Sequence, residues 1–147
     1  MFKRIEVPID GSSTSLLALE KAAELAKEQH AAVRVIQVVD LGPLYRAAFS
    51  GINISDIEQM IIQDAETDLA NAAAIARRDG VSVETALIRG NERRISQAIV
   101  EDANHWGADL IVVGSHGRHG LERLVLGSVA EGIARAATVP VLIVRGN

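Results

Sequence analysis

Five short segments of the chain are either apolar runs or carry apolar residues at alternate positions, and the longer segments between them repeat apolar residues every three or four positions. The short segments are residues 2–9, 32–39, 81–88, 110–113 and 139–144. Apolar runs of this length, bounded by turn residues, are typical of strands in a parallel sheet that is covered on both faces. The pattern therefore predicts five strands, although Pro8 weakens the first and Val81 to Ile88 alternates more than the others.

The intervening segments have the spacing of amphipathic helices. Their apolar positions are Leu16, Leu19, Ala22, Ala23 and Ala26, then Ile57, Ile61, Ala65, Leu69, Ala72 and Ala76, then Ile95, Ala98, Ile99 and Ala103. Helix starts are predicted in the turn of residues 10–14, at the capping box Ser55/Glu58, at Asn91 and at Ser128. Gly80 and Gly107 predict the ends of the second and third helices.

The resulting order, β-α-β-α-β-α-β-α-β, predicts the fold class. It is an α/β protein: a single domain over residues 1–147 with a doubly wound, parallel, five-stranded sheet and right-handed crossovers. Residues 40–54 have no clear period and contain Gly42 and Pro43, so we expect a long loop there, of the kind that often forms a lid or a binding segment. We expect Trp106 to anchor the third helix in the core.

Three spaced glycines follow the fourth predicted strand, in the pattern G-x2-G-x9-G-S formed by Gly114, Gly117, Gly127 and Ser128. Glycine lets a backbone come close to a ligand, and the start of a helix favours an anion, so the pattern is compatible with a phosphate site. It is equally compatible with turn glycines and with Ser128 as an ordinary helix cap. The spacing alone leaves both interpretations open.

Composition excludes several classes of protein. The net charge is −4 and no basic block occurs, which argues against nucleic acid as the main partner. Cysteine is absent, so disulfides and thiolate chemistry are excluded. No apolar run approaches the roughly 20 residues needed to cross a bilayer, and Glu6, Pro8 and Asp10 interrupt any signal-like segment. We therefore expect a cytoplasmic protein with no membrane insertion.

Other candidate chemistry is weaker. His116 and His119 could suggest a metal pair, but no carboxylate pattern accompanies them, and solvated histidines or neighbours of a phosphate are better interpretations. Arg118 and Arg123 are either solvated or supply positive potential near phosphates. Ser115 beside His116 is not a nucleophile elbow, and adjacent residues on a turn are not expected to face each other.

Taken together, G-S-H-G at 114–117, G-S at 127–128, V-P-I-D at 7–10, Q-V-V-D at 37–40 and P-V-L-I-V at 140–144 resemble the universal stress protein family. The resemblance covers the whole chain and is to the branch with an intact ATP-binding signature. It implies a nucleotide-binding fold of the adenine nucleotide alpha hydrolase type, with strand order 3-2-1-4-5. In that order the first and fourth strands flank the switch point at which ligands bind.

The resemblance also implies a set of ligand-binding residues. Asp10 would contact the adenosine, although a turn aspartate bonded to its own backbone is the alternative. The backbone of Val38 would recognise adenine, and Pro8 and Ile9 would line the same pocket. The phosphate side would consist of Val113, Gly114, Gly117, Arg118, Gly127, Ser128 and Val129.

The function implied is that of an ATP-binding regulatory or stress-response protein, with AMP or ADP as alternative ligands and Mg or Mn held mainly by the phosphates. No catalytic residue is assigned, and at most slow ATP hydrolysis or autophosphorylation is expected. The family also implies a homodimer, here through residues 139–145, and a possible regulated protein partner. The alternatives are a nucleotide-independent dimeric interaction module and an ATP-dependent enzyme with a second substrate pocket under residues 40–54.

Overall fold

The computed structural model describes residues 1–48, 53–116 and 126–146. In chain order its elements are β1 Arg4–Pro8, α1 Ser13–Gln29, β2 Ala32–Val39, α2 Gly42–Arg46, α3 Ile54–Arg77, β3 Val83–Arg89, α4 Ile95–Trp106, β4 Leu110–Gly114, α5 Ser128–Ala136 and β5 Val141–Val144. The five strands form one parallel sheet in the order 3-2-1-4-5, which confirms the predicted fold class and topology.

Helices cover both faces of the sheet, and the alternation along each strand decides which face a residue joins. On one face Ile5, Val7, Val33 and Val35 pack with the small apolar side of α1 and with α3. On the other face, residues of β2 and β4 pack against α4 and α5; these are Ile36, Ile111 and Val113, with Ile99, Ala103 and Ile133. Among the residues described, no helix is long and apolar enough to cross a membrane.

Several predicted helix ends are confirmed. Ser12 caps α1, because its hydroxyl accepts a hydrogen bond from the backbone N–H of Ser15 at 3.1 Å. Gly107 ends α4 in the left-handed conformation, with φ +80°. Gly80 also has a left-handed φ of +75°, but it lies in the turn after α3, which ends at Arg77.

Other local predictions are wrong. The helix predicted to start at Asn91 begins at Ile95; Asn91 and Glu92 instead have positive φ values of 50° and 65° in the preceding turn. Residues 40–54 are not only loop, because they contain the short helix α2 and the first residue of α3; residues 49–52 lie outside the description.

The prediction of a capping box at Ser55 is also wrong. Helix α3 already begins at Ile54, so Ser55 lies inside the first turn, and the Glu58 side chain pairs with Arg89 and Tyr45 instead. Trp106 packs at the margin of the core rather than inside it, and its indole N–H donates to Glu84 at 2.7 Å.

Candidate functional site

A cavity of about 420 Å³ opens at the carboxyl ends of β1 and β4, the two strands that meet at the switch point of the sheet. Small-molecule sites typically have volumes of about 300–1,000 Å³. The cavity is lined by Pro8, Ile9, Asp10, Ser15, Val38, Ile95, Ile99, Val113, Gly114, His116, Gly127, Ser128, Val129 and Ala130. Every candidate site residue within the described part of the chain is therefore at this cavity, whereas Gly117 and Arg118 lie outside the described residues.

The wall that follows the sheet is apolar. Pro8, Val38 and Val113 come from the ends of three adjacent strands, and Ile95 and Ile99 come from successive turns of α4. The helical spacing of Ile95 and Ile99 predicts core positions, not site residues. Ile99 is buried, whereas Ile95 is 38% exposed. Only the position of α4 over the switch point brings both residues to the cavity.

Asp10 makes a local turn bond and also lines the cavity. Its Oδ1 accepts a hydrogen bond from the backbone N–H of Ser12 at 2.9 Å, which is the local turn bond expected of an aspartate at this position. The same residue lines the cavity beside Ser15, whose hydroxyl donates to the Ser12 carbonyl at 2.9 Å. The turn bond thus holds Asp10 at the mouth of the cavity without removing it from the wall.

Gly114 and Gly127 are tightly packed against other parts of the protein. A Cβ added at Gly114 would lie 2.9 Å from Cγ2 of Thr14 at the start of α1. A Cβ at Gly127 would lie 3.1 Å from Cα of His116 and 3.1 Å from the carbonyl oxygen of Ser115. Packing within the chain is therefore one reason for glycine at both positions, since a larger residue would displace α1 or residues 115–116. The close approach of a ligand, suggested by the sequence, stays a prediction.

Helix α5 points its first turn at the cavity. Gly127 is the residue before the helix and Ser128 is its first residue, so the interpretation of Ser128 as the helix cap is wrong. No described side chain caps this end, and Ser128, Val129 and Ala130 all line the cavity. The first N–H groups of a helix have no intrahelical partners and carry partial positive charge, so this wall is suited to an anion.

His116 lies where the loop after β4 meets α1. Its Nδ1 is 3.0 Å from Oγ of Ser115 and its Nε2 is 3.3 Å from Oγ1 of Thr14. The expectation that Ser115 and His116 would not face each other is therefore wrong. Within residues 1–48, 53–116 and 126–146, no group of three or more His, Asp or Glu side chains is arranged to hold a metal ion. His119 and Arg123 lie outside the described residues.

A second cavity of about 400 Å³ lies on the other side of the end of β2, under α2. Its lining includes two arginines and two acids, Arg46, Arg89, Asp40 and Glu92. Arg89 already pairs with Glu58 at 3.1 Å. This is the region in which an ATP-dependent enzyme would need a pocket for a second substrate.

The fold and the cavity define a doubly wound α/β protein with a small-molecule site at the switch point of its sheet. A family model, the universal stress protein family, matches residues 1–145. A universal stress protein of Methanocaldococcus jannaschii is 37% identical over 145 residues, which span 99% of this chain and 83% of the relative. The chain belongs to the universal stress protein family.

Two solved structures with this fold contain adenine nucleotides. A universal stress protein in complex with cAMP has a TM-score of 0.70 and 27% identity, over 98% of this chain and 97% of that one. A universal stress protein from Archaeoglobus fulgidus in complex with dAMP has a TM-score of 0.72 and 25% identity, over 97% of each chain.

Proposed function

We propose that this protein is an ATP-binding regulator of the universal stress type, with its nucleotide in the cavity between β1 and β4. The observation that carries the proposal is the combination, in one cavity of suitable size, of an apolar wall and a helix start that no side chain in the described part of the chain caps. An apolar slot suits a purine base, and the helix start suits phosphates. Complexes of related proteins with cAMP and dAMP support the choice of an adenine nucleotide.

In this proposal the adenosine lies against Pro8, Ile9, Asp10 and the backbone of Val38. The phosphates lie along the segments that carry the glycine signature, and the hydroxyl of Ser128 donates to one of them. The phosphate-binding set is Val113, Gly114, Gly117, Arg118, Gly127, Ser128 and Val129. A divalent Mg or Mn ion would be held mainly by phosphate oxygens and water rather than by a protein cage.

We expect regulation rather than rapid catalysis. Among the described residues, His116 is the imidazole that lines the cavity, and its two ring nitrogens face the hydroxyls of Ser115 and Thr14. Hydrolysis would need a base positioned on an attacking water, and a ring held between two hydroxyls is not free to take that position. At most slow hydrolysis or autophosphorylation is therefore included in the proposal.

We further propose that the protein acts as a homodimer through residues 139–145 and regulates a protein partner. A cytoplasmic location fits this proposal, because an ATP-binding regulator needs a compartment that supplies ATP and the chain, which has no cysteine, has no disulfide that a reducing compartment would break.

The first prediction is that ATP binds more tightly than GTP. Backbone recognition at Val38 would distinguish the adenine amino group from the guanine carbonyl, because a donor and an acceptor exchange places. Calorimetry with each nucleotide and magnesium measures this directly, and equal affinities would contradict adenine recognition. A protein that binds neither nucleotide, and releases none on denaturation, would instead favour the nucleotide-independent interaction module.

A further inference from the structure

Glu6 lies in the middle of β1 with none of its surface exposed, on the face of the sheet that α4 covers. Its neighbours in register are Arg34 on β2 and Ile111 on β4. An ionised carboxylate in such a position is costly unless donors or a cation neutralise it. The proposed function makes no use of Glu6, so its burial requires a separate explanation.

The one cation beside Glu6 in the described network is already used by other acids. Arg34 holds Asp102 with two hydrogen bonds, Nε to Oδ2 at 2.8 Å and Nη2 to Oδ1 at 2.9 Å. Its remaining nitrogen, Nη1, donates to Glu84 at 2.8 Å. His105, one turn beyond Asp102 on α4, acts on Asp102 electrostatically. Arg34, Asp102, Glu84 and His105 are the charged or titratable groups that β2, α4 and β3 bring to this cluster.

A proton on Glu6 would remove the cost of burying its charge. Among the described residues, neither carboxyl oxygen of Glu6 has a hydrogen-bond donor, and two carboxylates cannot bond to each other. Protonated, Glu6 gains an O–H that can donate to the neighbouring Asp102. Burial is the main cause that raises the pKa of Glu6, from 4.5 to about 10. Burial by itself would also raise the pKa of Asp102, but hydrogen bonds from Arg34 and Glu6 lower it overall, so Asp102 keeps its charge.

The cluster lies directly below the cavity. Asp102 follows Ile99 by three residues, which places both on one side of α4. Arg34 precedes Val38 by four residues and Glu6 precedes Pro8 by two, so each shares a face of the sheet with a residue of the cavity wall. Bonds from the sheet to Asp102 therefore fix the helix that carries Ile95 and Ile99.

We propose that Glu6 is a neutral acid that keeps its proton and donates a hydrogen bond to Asp102, and that Glu6, Asp102 and Arg34 form a positioning cluster that fixes α4 and the Ile95–Ile99 wall of the nucleotide site. The second half of the proposal rests on the proposed nucleotide binding. The first half does not, and the two are tested separately.

The protonation of Glu6 is tested by comparing how stability depends on pH in wild type and in Glu6→Gln. Glutamine keeps a donor for Asp102 but never ionises. Between pH 4.5 and about 10 the folded wild type keeps a proton that the unfolded chain has lost, so wild-type stability falls relative to the variant as pH rises. In urea titrations from about pH 6 to pH 9, the ratio of the two unfolding constants should change by up to about tenfold per pH unit.

Glu66→Gln on α3 removes the same charge at an exposed position and serves as the control. Its stability should run parallel to wild type at every pH. If stability changed with pH in the same way in wild type and Glu6→Gln, the proposal that Glu6 is neutral would be overturned. The carbon-13 shift of the Glu6 carboxyl, followed across the same range, gives an independent measure and should show no titration near pH 4.5.

The positioning role is tested with Glu6→Leu, which removes the donor to Asp102. We expect adenosine and ATP to lose affinity by the same factor, roughly 2- to 30-fold, because the base wall and not the phosphate side is altered. Glu6→Gln should restore both affinities. Should Glu6→Leu fail to fold, wild type and Glu6→Gln at about pH 10.5 provide the comparison, since only wild type is then ionised.

The outcomes separate the two proposals. Equal adenosine affinity in all three proteins, or equal affinities of wild type and Glu6→Gln at high pH, overturns the positioning role. A wild-type protein that binds neither adenosine nor ATP overturns the proposed function and with it the positioning role, while the pH comparison still decides whether Glu6 holds the proton.

Discussion

At the scale of the residue, Ser128 carries the sharpest test of the phosphate site. It is the first residue of α5, it is exposed, and no described hydrogen bond uses its hydroxyl to cap the helix. Ser128→Ala should therefore change stability by well under the roughly 1 kcal/mol expected of a lost cap. If its hydroxyl donates to a phosphate, ATP binding should weaken by about 1.5–3 kcal/mol, the value of a hydrogen bond to a charged group.

Adenosine provides the control for Ser128→Ala, because it has no phosphate and should bind wild type and variant alike. The measurement is the ratio of ATP to adenosine affinity in the two proteins by calorimetry. An unchanged ratio would show that Ser128 does not contact the phosphates. A large loss of stability in Ser128→Ala would show that its hydroxyl caps α5 after all.

At the scale of the element, the contact between α4 and α5 depends on a glycine. A Cβ added at Gly132 of α5 would lie 2.3 Å from Oγ and 2.6 Å from Cβ of Ser96 on α4. Alanine is the better helix former by about 1 kcal/mol, but Cβ of Ser96 cannot rotate away, so the helices must separate. We expect Gly132→Ala to destabilise the protein by about 1–3 kcal/mol, as overpacking does, in urea titrations.

A double variant separates this contact from a general effect of alanine. Ser96→Gly in the Gly132→Ala background removes the opposing Cβ and should recover most of the lost stability, after correction for Ser96→Gly alone. ATP affinity should follow the same pattern, since α4 and α5 both contribute to the cavity wall. A more stable Gly132→Ala would mean that the two helices pack less closely than described.

At the scale of the whole molecule, the two edges of the sheet differ in chemistry. The β3 edge carries Glu84, Thr85 and Arg89, whereas β5 is the apolar run Val141–Val144 with Leu142 42% exposed. Charged residues protect an edge strand from pairing, and an apolar edge is open to it. Two β5 edges related by a two-fold axis would cover each other, which supports the proposed homodimer.

Leu142→Lys should shift the mass measured by light scattering from dimer toward monomer, because each charge would face its symmetry mate in an apolar interface. Met60→Lys makes the same change at a residue that is 64% exposed on α3, and should leave the mass unaltered. A dimer that survives Leu142→Lys would place the interface on another surface.

The sequence by itself determined the features that depend on near neighbours along the chain. The apolar periods predicted the alternation of strands and helices, and the turn of residues 10–14 and Gly107 marked two helix boundaries correctly. The prediction of a helix start at Asn91 was wrong, because a residue type that favours helix caps also favours turns with positive φ. Only the position of α4 decides between the two. The strand order came from the resemblance to a family rather than from the periods.

Only the tertiary structure decided which distant residues meet. Periodicity predicts that a side chain is buried but not what it touches, so it could not show that Ile95 and Ile99 reach the cavity or that Thr14 packs on Gly114. Glu6 is the clearest case. In the sequence it is a charged residue inside the predicted first strand. In the fold, α4 packs over that strand and brings Asp102 beside Glu6, and burial there favours a proton on Glu6.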